Sequence, residues 1–383
     1  MDRDVVRRFE VRVSDAARVA DALNTAAADQ HVTIAIDPKK PQNRDTFTVR
    51  LNGTAEATAA VRGAVPAGAR ITRDLLDLAY GARPPGAPPS SAYPDRRVLA
   101  RIDPAGLAPA DPAPKDRVVV AIVDSGIDAG HEDLIGHLWR GNAEHGACVM
   151  DAPGHAHGTL DEAGHGTMLA GTILATASGG AGIELLAVKI FDAHTEPTEA
   201  TAAAGIRKAV ELGADILNLS FDLGIGSRDL RNAIGEACRA GKLLVFAAGN
   251  TGSNNDKYPL APARYAGNWP DSTLVVMASD WYDDRPTFSN FGRQSVDVAA
   301  PGVRIVSTRA GGRGEHKYGV YTGTSPAAAH VTGALARLKA HCPGMKPNAL
   351  KQLLLDQAEE IRAMTVPRPK CSSGKRLRLT RLG

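Results

Sequence analysis

Residues 117–128 read RVVVAIVDSGID. Six apolar residues run without a break from Val118 to Val123, and then the chain turns polar at Asp124. A strand with one wet face alternates, whereas an unbroken β-branched run suits a strand covered on both faces, as in a parallel sheet. Four more runs have the same character: ELLAVKIF (184–191), ADILNLSF (214–221), KLLVFAAG (242–249) and STLVVMAS (272–279). Between them lie helical patterns, HGTMLAGTILATA (165–177), TAAAGIRKAVELG (201–213) and SRDLRNAIGEACRAG (227–241). Strand–helix alternation predicts an α/β fold: a parallel sheet, right-handed crossovers and helices on both faces. Ligands of such sheets bind at the carboxyl ends of the strands. Two of those ends carry polar residues in apolar company, Asp124 and Asn250.

The flanks read differently. Residues 1–80 alternate strand-like RRFEVRV (7–13), HVTIAID (31–37), DTFTVRLNG (45–53) and ARITRDL (69–75) with Ala-rich helical stretches at 14–30 and 55–65. The order β-α-β-β-α-β predicts a small α+β, ferredoxin-like domain. Residues 81–114 are rich in Pro, Ala and Gly and read as a linker. The α/β domain is expected over 115–365 and a solvated basic tail over 366–383, where Arg368, Lys370, Lys375, Arg376, Arg378 and Arg381 meet no acidic residue.

Composition excludes several function classes. A formal net charge of +3 is too slight to make nucleic acid the expected partner, and 4% aromatics leave few stacking platforms. No run is apolar enough to span a bilayer, and charges break the stretch where a signal peptide would have its apolar core. Cys148, Cys238, Cys342 and Cys371 lie far apart without a C-x-x-C pair, which argues against a disulfide framework or zinc site. A cytoplasmic protein is expected. His155, His157 and His165 in GHAHGTLDEAGH (154–165) could be counted as metal ligands, but a variable surface loop is favoured. No cofactor motif is found.

The chemistry centres on YTGTSPAAAHVTGALARL (321–338). A serine hydroxyl at a helix N-terminus needs a base and a group to hold that base before it becomes a nucleophile. His165, between two glycines at a predicted helix start, and Asp124, at a strand end, supply the two. Asn250 adds an amide donor for an oxyanion, beside the backbone N–H of Ser325. Taken singly, Asp124 could cap a turn, Asn250 could end a strand and His165 could be a core histidine. Together, Asp124, His165, Ser325 and Asn250 form a catalytic constellation.

These residues carry a resemblance. VDSGID (123–128), GHGTMLAG (164–171), AAGN (247–250) and GTSPAAAHVTG (323–333) resemble the motifs of subtilisin-like serine proteases, the subtilases, in their Asp, His, Ser order. Weaker matches are ILNLSF (216–221), SNFG (289–292) and VDVAAPG (296–302). The resemblance covers about residues 115–365. It implies peptide-bond hydrolysis through an acyl-enzyme, polypeptide substrates, and a prodomain-like N-terminal domain acting as inhibitor of its own protease; a separate interaction domain that is never removed is the alternative reading of residues 1–80. Structural calcium is frequent in the family, but no calcium motif is identifiable here.

The chain departs from the family at two positions. Pro326 stands where Met usually follows the serine, and Ala329 where Pro is usual. A residue before proline is pushed away from helical dihedrals, so Ser325 is expected at the helix cap rather than in its first turn. The segment VKIFDAHTEPTEAT (188–201) also lacks the glycines that relatives often place beside the substrate. The competing functions are a catalytically impaired binding module and a protease activated by a partner.

Overall fold

The computed structural model describes residues 5–12, 33–37, 46–53, 96–103, 116–150, 158–177, 182–311, 317–365 and 370–379. In the N-terminal part, strands β1 (Val5–Arg12), β2 (Thr33–Asp37) and β3 (Thr46–Gly53) form an antiparallel sheet in the order β1-β3-β2. The helices and fourth strand expected there lie outside the described residues.

The larger sheet has nine strands. Those from the expected α/β region are β4 (Val118–Asp124), β5 (Gly146–Cys148), β6 (Ile183–Lys189), β7 (Ile216–Leu219), β8 (Leu243–Ala247), β9 (Thr273–Ser279) and β10 (Val298–Pro301). A separate hairpin joins β11 (Ile305–Thr308) and β12 (Tyr318–Tyr321). Edge strand β13 (Glu359–Glu360) and its neighbour β14 (Lys375–Arg376) complete the large sheet in the order β13-β14-β10-β9-β8-β7-β4-β6-β5. Every pairing in it is parallel except β13 with β14. From β4 the chain moves to β6 on one side and then to β7 on the other. The carboxyl end of β4 is therefore the topological switch point, where such sheets open a crevice.

Side-chain alternation along β4 sets the two faces. Val118, Val120 and Ile122 pack with helices α2 (His165–Thr176) and α5 (Thr324–His341), while Val119, Ala121 and Val123 pack with α3 (Glu199–Glu211) and α4 (Arg228–Arg239). Helix α1 (Arg96–Ile102) lies N-terminal to all of these. Asp124 continues the even-numbered series, so its side chain falls on the α2 and α5 face. Helix α5 is buried along almost its whole length, which suits a sequence of Ala, Val, Leu and Gly with no long polar face.

The flanks of this domain differ from the sequence expectation. The stretch read as linker includes α1, and its Val98, Leu99 and Ile102 are buried in the core. Each such side chain contributes about 1.5–3 kcal/mol of burial. Asp103 then meets Arg337 of α5 at 2.7 Å, both nearly buried. Helix α6 (Pro347–Gln357) leads to β13, short helix α7 (Arg362–Thr365) follows, and residues 370–379 form no solvated tail. Cys371, Arg376, Leu377 and Leu379 are buried. Leu377 N–H donates to the Ala299 carbonyl at 2.7 Å, and Arg376 pairs with Asp283 and Glu359. The basic count hid a strand: in KRLRL, alternate leucines face the core, while acidic partners come from neighbouring strand β13 and from the loop that carries Asp283.

Among the described residues, no helix is long and apolar enough to cross a membrane.

Candidate active site

Asp124 ends β4 fully buried, and the first residue of α2 is His165. Their side chains meet: His165 Nδ1 lies 2.7 Å from Asp124 Oδ1 and 2.9 Å from Oδ2. Because a carboxylate accepts only, Nδ1 carries the proton and Nε2 presents a lone pair. Asp124 Oδ1 also accepts the Ser125 N–H at 2.8 Å.

A second carboxylate, missed in the sequence reading, fixes the start of α2. Buried Asp161 accepts from Gly164 N–H (2.7 Å), Thr167 N–H (2.8 Å), Thr167 Oγ1 (2.6 Å) and Ser125 Oγ (2.8 Å). The Ser125 hydroxyl in turn accepts the Gly166 N–H at 2.9 Å. Strand end and helix start are thereby tied within two residues of the Asp124–His165 contact. Gly166 is required there, since a Cβ would come within 2.0 Å of the Gly126 carbonyl oxygen. Lys189, in register with Asp124 on β6, is buried and donates to the Leu160 carbonyl and to Glu162, each at 2.7 Å. It pins the loop that delivers Asp161. The readable signal was an acidic residue one turn before a helix, an anionic cap type.

Ser325 is 8% exposed and sits at the second position of α5. The expectation that proline would displace it to the cap is not met: the helix begins at Thr324 and Gly323 is the cap. Pro326 falls within the first turn, where a missing N–H loses no intrahelical bond. The Ser325 hydroxyl is turned to the Ser220 carbonyl, 3.4 Å away, a long bond. Ser220 is itself held from α5: Thr332 Oγ1 donates to Asn218 Oδ1 (2.8 Å), and Asn218 Nδ2 donates to Ser220 Oγ (2.9 Å).

Asn250, half-buried past β8, is oriented by the residue before the serine. Its Oδ1 accepts the Thr324 N–H at 2.8 Å and the Thr324 hydroxyl at 3.1 Å. With the oxygen committed, the NH₂ is the end left to donate. Asn290, from the SNFG stretch, braces both sides of Asn250: its Oδ1 accepts from Thr251 and Ser253 N–H, and its Nδ2 donates to the Ala248 carbonyl. The structure thus joins Asp124 to His165 directly, and Asn250 to Ser325 through Thr324.

Residues 115–377 match the Subtilase family. The chain belongs to the subtilase family. This subtilase is 36% identical over 239 residues to the thermostable alkaline protease of Halalkalibacterium halodurans, covering 61% of this chain and 60% of that protein. It is 36% identical over 233 residues to the subtilisin of Bacillus pumilus, covering 59% of this chain and 78% of that one. Among solved structures, a cold-adapted subtilisin-like serine proteinase aligns with a TM-score of 0.60 at 26% identity, over 73% of this chain and 97% of the other. The subtilase thus spans little more than half the length of several curated relatives, 60% in the first case and 56% for subtilisin NAT of Bacillus subtilis subsp. natto.

Among the described residues of this subtilase, no group of three or more His, Cys, Asp or Glu is placed to hold a metal ion. His155 and His157 lie outside the described residues.

Proposed function

We propose that this chain is a serine endopeptidase in which Ser325 is the nucleophile, His165 the general base, Asp124 its orienter and Asn250 the oxyanion donor. The observation that carries this reading is the two-oxygen contact of buried Asp124 with His165 Nδ1, which leaves Nε2 basic. On substrate binding, rotation of the Ser325 hydroxyl away from the Ser220 carbonyl brings it to Nε2. Hydrogen bonds of this kind are often long before substrate arrives. Ser325 Oγ attacks the scissile carbonyl as His165 takes its proton. The oxyanion receives hydrogen bonds from Asn250 Nδ2 and from the Ser325 N–H, a first-turn donor without an intrahelical partner. His165 then protonates the leaving amine, and water releases the acyl group by the reverse sequence. Polypeptide is the substrate. An inert binding module is not favoured, since an inert site has no need for the bracing of Asn250 and His165.

The proposal extends to organisation. Residues 1–80 act as an inhibitory domain until the protease cuts its own chain between residues 78 and 95, and the catalytic unit runs from Arg96 to residue 379, because α1 and β14 belong to its core. Four free cysteines support the cytoplasmic location expected from the sequence.

Full-length protein should cleave casein, and Ser325→Ala and His165→Ala should each abolish cleavage while leaving the circular dichroism spectrum unchanged. Wild-type turnover in either variant would refute the assignment. Adding residues 1–80 in trans to residues 96–383 should inhibit; unaltered turnover would remove the inhibitory role.

A further inference from the structure

Asp222 lies two residues past Ser220, whose carbonyl faces the Ser325 hydroxyl. It therefore runs over the carboxyl end of β7, between the end of β4 and the end of β8. On the β8 side its carboxylate rests against the residue before Asn250: a Cβ built on Gly249 would lie 3.2 Å from Asp222 Oδ2. Its other side is open to solvent.

The neighbouring carboxylates are all partnered. Asp124 holds His165, Asp161 collects four donors, and Glu162 pairs with Lys189. Asp222 has neither a hydrogen-bond donor nor a cation among the described residues. Protein on its β8 side partly shields it from water, which raises its carboxyl above the usual carboxylate range. At neutral pH it is an anion beside the place where an oxyanion must form. Left alone, that charge opposes catalysis, because it repels the negative charge developing on the substrate oxygen. A cation delivered by the substrate removes the penalty and is drawn to this unpartnered carboxylate.

Strand order says which substrate residue delivers it. Asp124 and His165 flank β7 on the β4 side, and Asn250 flanks it on the β8 side. The leaving amine must face His165, and the acyl carbonyl must face Asn250. Asp222, against Gly249, is on the acyl side. We infer that Asp222 determines specificity: this subtilase cleaves after arginine or lysine, whose side chain pairs with the Asp222 carboxylate. The inference rests on the endopeptidase reading of Ser325.

The test is hydrolysis by the full-length protein of peptide anilides differing only in the residue before the scissile bond: Arg, Lys, Leu or Glu. kcat/KM for Arg and Lys should exceed that for Leu by about 10-fold or more, as expected for an added charge pair at a half-open site, and Glu should be poorest. Asp222→Asn should bring the Arg:Leu ratio towards unity, Asp222→Glu should keep a preference for the basic residues, and Asp222→Lys should favour Glu over Arg. A wild type without preference for Arg or Lys, or a ratio unmoved by Asp222→Asn, overturns the inference. Labelling of Ser325 by a fluorophosphonate separates the two failures. A labelled enzyme that cleaves the Leu peptide without the predicted ratios sinks only the specificity; an enzyme neither labelled nor active sinks the endopeptidase reading and the specificity with it.

Discussion

The backbone N–H of Thr324 donates to Asn250 Oδ1 at 2.8 Å, so the residue before the nucleophile aims the amide that would receive the oxyanion. A preorganised donor acts mainly in the transition state. Asn250→Ala should lower kcat by on the order of 100-fold or more with little change in KM. Steady-state kinetics on one peptide anilide decides it, and an effect confined to KM would contradict the role.

Pro326 is a first-turn residue of α5 and not a displacer of Ser325. Replacing it with the residue usual in the family, Pro326→Met, should leave kcat/KM within about two-fold, because no intrahelical bond is gained or lost there. A rise of ten-fold or more would show that the ring holds the serine off its working position.

Buried His330 lies between α5 and α2, with Nδ1 2.6 Å from Thr176 Oγ1. The Thr176 hydroxyl is committed to the Thr172 carbonyl, so Nδ1–H donates, and Nε2 faces the interior without a partner among the described residues. Burial drives its pKa from 6.5 down to about 3. The folded state excludes a proton that the unfolded chain accepts below its pKa. The stability is therefore intact above about pH 6.5 and is lost as pH falls towards 3, by about 1.4 kcal/mol per unit. Urea denaturation of Ser325→Ala, which cannot digest itself, should show this slope between pH 6 and 4. Adding His330→Gln should flatten it; an unchanged slope would assign the acid sensitivity elsewhere.

The packing of residues 370–379 gives a further expectation. Leu377→Ala should cost about 2–5 kcal/mol, the range for a buried leucine. Removal of residues 368–383 should leave little folded protein, because β14, Cys371 and the Arg376 ion pairs go with it. A truncated protein with unchanged thermal stability would restore the solvated-tail reading.

The parallel sheet was legible because its strands are buried on both faces, and unbroken apolar runs such as Val118–Val123 announce that. Asp124, His165, Ser325 and Asn250, the proposed catalytic residues, stood out because each sits at a strand end or helix start, where a polar residue interrupts an apolar pattern. Their supports were not. Asp161, Ser125 and Thr324 act through backbone N–H groups brought close by the fold, and any polar residue in a loop reads the same in sequence. Asp222 was invisible for another reason: its significance lies in lacking a partner, which only the packing around Gly249 reveals. The α1 and β14 segments were misjudged on composition, since Pro-rich and basic neighbours masked Val98, Leu99, Leu377 and Leu379.

The most direct measurement is the intact mass of the full-length protein after exposure to a fluorophosphonate at pH 8, followed by peptide mapping. If Ser325 is a nucleophile activated by His165, the wild type takes up one equivalent, located on Ser325, and both Ser325→Ala and His165→Ala stay unlabelled. Absence of labelling in the natively folded wild type, or labelling that persists in His165→Ala at the wild-type rate, would contradict the proposed catalytic machinery.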